Sequence, residues 1–147
     1  MAPPIHVKVI AGLLNTVLTI AGVRNIVAPG TPVPVIPEDD KFQAHFHGDG
    51  DPKMAWVFQL LGVCFLMVAS VKFISVFGQV EGTFLRQKLF FALGACDLVV
   101  AALTFRYSGL PQSVIGGFAT LHGLEGTAFL ADASLRARPV KASGKKR

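Results

Sequence analysis

Asp97, His122 and Glu125 stand inside otherwise apolar stretches of this chain. A lone aspartate at the centre of a membrane costs roughly 3 kcal/mol on insertion scales, so each such residue needs a partner or a task. Asp97 and His122 each lie midway along their segments. In an antiparallel hairpin they therefore reach similar depth. Positions 122 and 125 share a helix face, with Glu125 one turn nearer the cytosolic side. Lys72 closes a preceding apolar segment and is the natural cation for the group. Two chemistries suit Lys72, Asp97, His122 and Glu125. One is a proton relay or polar ligand site; the other is a structural network in which each charge neutralises another. The network is the simpler reading, because pairing is needed whatever the role.

A second stretch, His45-Phe46-His47-Gly48-Asp49-Gly50-Asp51, sets metal-capable side chains at every other position. On a strand they would share a face. The glycines loosen it and no cysteine or third histidine completes a zinc set. The expectation is a solvated loop without a metal, with His45 and His47 as the only candidates. The chain has no phosphate-binding glycine loop, no Gly-x-Ser-x-Gly elbow and no His-Glu-x-x-His helix, so neither a catalytic residue nor a cofactor is expected. Arg136–Arg147 carries six basic residues and no acid. On a membrane protein, Lys141, Lys145, Lys146 and Arg147 suit anionic lipid headgroups better than nucleic acid.

The elements that must position these residues follow from composition. Of 147 residues, 52% are hydrophobic and only 16% charged, against about 25% charged in a soluble domain. That excludes a disordered chain and points to a small integral membrane protein. Cys64 and Cys96 lie in apolar runs, so no disulfide framework is expected. Four apolar segments, at about 5–27, 54–77, 88–106 and 112–131, predict an all-α bundle of four transmembrane helices spanning residues 1–135. The basic tail 136–147 is expected to be disordered. The first segment also has features of a signal peptide but lacks a clean small-x-small cleavage site, so a retained helix is preferred.

Gly116, Thr120, Gly123 and Thr127 recur at helical spacing and predict a close-packing face on the fourth helix, toward this chain or another. Between the first two spans, residues 28–53 hold Pro29, Pro32, Pro34, Pro37 and Pro52, which predicts a long proline-rich loop. With four spans, both termini share one side. Counting Lys and Arg gives ten on that side and four (Arg24, Lys41, Lys53 and Arg106) on the other. The termini are thus expected to face the cytosol, matrix or stroma.

The layout resembles the small four-helix ergosterol-biosynthesis scaffold family of the endoplasmic reticulum. The resemblance rests on Met54-Ala55-Trp56-Val57-Phe58, Ser70-Val71-Lys72, Phe90-Phe91-Ala92-Leu93-Gly94, Tyr107 and Pro111, over residues 54–131. Ala95-Cys96-Asp97 stand where that family has a histidine after Ala-Leu-Gly. The resemblance implies a non-catalytic membrane tether for sterol-modifying enzymes. The layout is also similar to DoxX-like four-helix membrane proteins, and to basic-tailed accessory subunits of respiratory or photosynthetic complexes. The expected function is a scaffold or accessory subunit in the endoplasmic reticulum or an organelle inner membrane. Its expected partners are lipids and other integral membrane proteins, with no nucleic acid. The alternative is a small transporter or redox-linked protein using the Asp/His/Glu cluster.

Overall fold

The computed structural model describes residues 3–36, 38–47, 51–78, 84–107, 109 and 111–135; the side chains of His47 and Leu135 lie outside that description. The described residues form five α-helices and no strand. α1 is Ile5–Val27, α2 Asp39–His47, α3 Pro52–Phe73, α4 Phe84–Arg106 and α5 Gln112–Leu135; a π-helical turn, Ile74–Gly78, continues α3. Three segments, Ile5–Val27, Pro52–Gly78 and Phe84–Arg106, are long and apolar enough to cross a membrane. α5 has 24 residues, about 36 Å of helix at 1.5 Å per residue, but includes His122, Glu125 and Asp132.

Local chemistry sets these bounds. Asp51 caps α3, its carboxylate accepting from the Lys53 amide at 2.9 Å, and Pro52 takes the first helical position, where its missing N–H costs nothing. The helix therefore starts two residues before the apolar run. Threonine and serine hydroxyls within the helices bond back to the preceding turn, as Thr16 does to the Gly12 carbonyl at 2.9 Å and Ser70 to Leu66 at 2.8 Å. This satisfies them without water.

The long helices pack as two antiparallel pairs, α1 with α3 and α4 with α5, joined mainly where α1 meets α5. Each pair closes on a glycine from each helix. A Cβ on Gly62 would lie 2.7 Å from the Gly22 carbonyl oxygen, and one on Gly126 would lie 2.8 Å from that of Gly94. Only glycine permits backbones this close. Phe90 and Phe129 stack at 4.6 Å and, with Val7, Ala11, Val76 and Ala133, form an apolar layer at the end of the bundle near the N-terminus.

One expectation is corrected. The connection between the first two spans is not loop throughout, because Asp39–His47 is helical. His45, in the stretch expected as a solvated loop, lies on this helix, and residues 48–50 of that stretch lie outside the described residues. The close-packing face expected on α5, toward this chain or another, is not covered by the described residues of this chain. A Cβ at Gly116 or Gly123 meets nothing within 4 Å, and Thr120 and Thr127 are exposed.

Candidate functional site: a buried ion cluster

Lys72, Asp97, His122 and Glu125 come from three helices and meet in the interior, each at most 5% exposed. The Lys72 ammonium donates to both Asp97 carboxylate oxygens at 3.0 Å and to Glu125 Oε2. His122 Nδ1 lies 2.9 Å from Asp97 Oδ1. A carboxylate only accepts, so Nδ1 carries the hydrogen and Nε2 is left as the acceptor of a neutral ring or a second donor of a charged one. His122 Nε2 and Glu125 Oε1 are buried and have no hydrogen-bond partner among the described residues.

The surroundings raise the stakes of this pairing. Lys72 Nζ lies 5.9 Å from the centroid of the Phe129 ring, whose face favours a cation. Phe118 lies against the His122 ring with centroids 4.5 Å apart. In so apolar a setting an unpaired charge is costly, and one lysine offering three N–H donors satisfies two acids. With Lys72 charged and both acids ionised the group carries one net negative charge; one more proton, on His122 or Glu125, brings it to zero.

One oxygen each from Asp97 and Glu125 and one nitrogen from His122 lie within 4.8 Å of one another, a donor set that suits a metal ion. The Lys72 ammonium already bonds both carboxylates. A metal would have to displace it.

The same bundle holds a second polar group where α1 meets α2. Asp39 accepts from Arg24 Nη2 at 3.3 Å, from the Val33 amide at 2.7 Å and from Gln43 Nε2 at 3.0 Å. Arg24 also donates to the Thr31 carbonyl at 3.0 Å. At the other end of α2, His45 Nε2 lies 2.8 Å from the Tyr107 hydroxyl. His45 thus pins α2 to the end of α4. On the outer face of α2, Glu38 binds the exposed Lys41 and holds its ammonium above the ordinary value of 10.5 through hydrogen bonding and charge.

The sequence reading missed Arg86 and Asp132, which are buried at 1% and 6% exposure near the start of α4 and the end of α5, and which both have interaction partners. They stand at the edges of apolar runs, where hydropathy gives them no role. Their opposite charges on adjacent antiparallel helices were the available signal. Asp49 and the tail residues Lys141, Lys145, Lys146 and Arg147 lie outside the described residues. Both cysteines are free and exposed on the helix surface.

Searches against family models, curated proteins and solved structures gave no match.

Proposed function

We propose that this chain is a four-span integral membrane protein acting as a non-catalytic scaffold or accessory subunit that packs against larger membrane proteins. One observation carries the reading: the Lys72 ammonium bonds both Asp97 and Glu125, so each buried acid has a cationic partner inside the chain. A carrier needs a charge that can be given up. A scaffold needs helices held in one arrangement, and this cluster ties α3, α4 and α5 together.

The same burial supports α5 as the fourth span. His122, Glu125 and Asp132 all point inward, while Gly116, Thr120, Gly123 and Thr127 leave a shallow outer face. Small residues let a neighbouring helix approach closely. The basic asymmetry supports termini on the cytosolic, matrix or stromal side, in the endoplasmic reticulum or an organelle inner membrane.

A second reading, a small transporter or redox-linked protein, draws on the unpartnered His122 Nε2 and Glu125 Oε1. The two differ at Asp97→Asn. In the scaffold reading, Asn keeps hydrogen bonding and the variant folds better than Asp97→Leu. It also retains co-purifying membrane proteins, and neither it nor the wild type passes protons in liposomes. Proton flux in the wild type that Asp97→Asn abolishes, with fold and expression intact, would replace the scaffold with the transporter.

A further inference from the structure

We propose that the groove between α1 and α3 seats a second copy of this chain, with the two Asn15 side chains paired across a two-fold axis at mid-membrane. Both helices are long and apolar enough to cross a membrane, so their outer face meets lipid or protein. Two hollows of about 380 and 370 Å³ lie along the groove and share Asn15, Thr19 and Phe73; Thr16 lines the first and Ser70 the second. The three hydroxyls here donate within their own helices: Thr16 to the Gly12 carbonyl at 2.9 Å, Thr19 to Asn15 at 2.8 Å and Ser70 to Leu66 at 2.8 Å. Asn15 differs. Among the described residues its carboxamide makes no hydrogen bond: Oδ1 is buried, and Nδ2 is the end left at the groove surface.

Depth makes that unused donor expensive. Asn15 stands one residue from the midpoint of α1, Ile5–Val27. At 1.5 Å per residue, about 15 Å of helix lies on its shorter side, half of a hydrocarbon core roughly 30 Å thick. Lipid tails offer no acceptor at that level, and asparagine is too short to reach the interface as a lysine does. Bonding to a neighbouring helix is how such a group is answered. A second copy answers it by symmetry. Two copies share one topology, so a two-fold axis along the membrane normal sets each residue opposite its counterpart at equal depth. A carboxamide carries both a donor and an acceptor, so Asn15 complements itself. Oδ1 has no bond to lose where it is buried, and a half-turn about a torsion with two-fold freedom brings it to the surface. One copy then offers N–H and the other C=O, in a single hydrogen bond across the axis. The small exposed side chains of Thr16, Thr19 and Ser70 let the two helix pairs approach closely around it.

The test uses the full chain in liposomes, with Cys64 and Cys96 replaced by alanine and donor or acceptor dye on a cysteine introduced at position 144. Energy transfer, followed as the protein is diluted in lipid, is expected to rise linearly with the acceptor fraction, as for a dimer. Asn15→Leu should weaken self-association about tenfold, and Asn15→Gln should keep most of it. Helical circular dichroism and resistance to dodecyl sulfate check that each variant folds. In native membranes, Thr16→Cys should cross-link to a second copy through a short bis-maleimide, and Thr120→Cys, on the outer face of α5, should not. If Asn15→Leu does not fold, the cross-linking decides alone. Energy transfer no greater than random proximity gives, unchanged self-association of folded Asn15→Leu, cross-linking through Thr120→Cys in place of Thr16→Cys, or a cross-link from Thr16→Cys to a different protein would each overturn the proposal. A monomer would leave the scaffold reading standing, because that reading uses the outer face of α5.

Discussion

Replacing Lys72 by Met removes a cation that joins three helices. Met keeps the length and apolar stem of the lysine, so little packing is lost. What changes is electrostatic. At 3.0 Å from Asp97 and an effective dielectric constant near 20, each ion pair is worth about 5 kcal/mol before desolvation. Without Lys72 two buried acids face each other, with ligand oxygens inside the 4.8 Å envelope of the cluster. Their mutual repulsion is then about 3.5 kcal/mol at the same dielectric constant. The protein escapes part of this by protonating one acid. The net loss should match that for breaking a buried pair, about 3–5 kcal/mol. The assay is unfolding in mixed micelles with increasing dodecyl sulfate, followed by helical circular dichroism. The double variant Lys72→Met with Asp97→Asn should recover at least 1 kcal/mol over the single variant, because the remaining acid no longer faces a charge. A cost below about 1 kcal/mol for Lys72→Met, or strictly additive effects in the double variant, would refute the account of a charge-coupled lock.

Other outcomes follow from single contacts. Gly126→Ala should destabilise the chain by about 1–3 kcal/mol, because its Cβ would press on the Gly94 carbonyl; Gly123→Ala, facing open space, should stay within about 0.5 kcal/mol of wild type in the same unfolding assay. Asp39→Ala removes an acceptor shared by three donors and should speed hydrogen exchange across α2 well before the long helices exchange. With Cys64 and Cys96 replaced, cysteines introduced at 48–51 and at 143–145 should label from opposite faces of the membrane; labelling from one face would mean an odd number of spans. A peptide of residues 136–147 carries six basic residues, each worth about 1 kcal/mol near an anionic leaflet. It should bind anionic vesicles and release with salt, whereas salt-insensitive binding would point to a protein receptor.

The charged cluster was legible in the sequence because a charge in lipid has so few affordable positions. Asp97 at mid-membrane must find a cation or a donor, Lys72 was the cation within reach, and an antiparallel pair brings His122 and Glu125 to the same level. The starts of α3 and α4 were less legible for a related reason. Hydropathy ends a span at the first charge, yet Asp51 and Pro52 begin α3 by capping chemistry, and α4 runs back to Phe84 because Arg86 turns inward, where it is 1% exposed.

α2 was missed because a nine-residue polar helix leaves no hydropathy signal. Asp39 and Asp40 in its first turn, where the helix dipole favours acids, were the cue. Glycine on α5 is a weaker guide than aspartate. A buried charge must be answered within the chain or by a partner, and the costs differ by several kcal/mol. A glycine is tolerated on any face of a helix, and spacing alone cannot say which face meets a neighbour. Gly126 does so against Gly94, while Gly116 and Gly123 look outward. The outward face therefore remains available to another helix, and a scaffold would offer a partner such a surface.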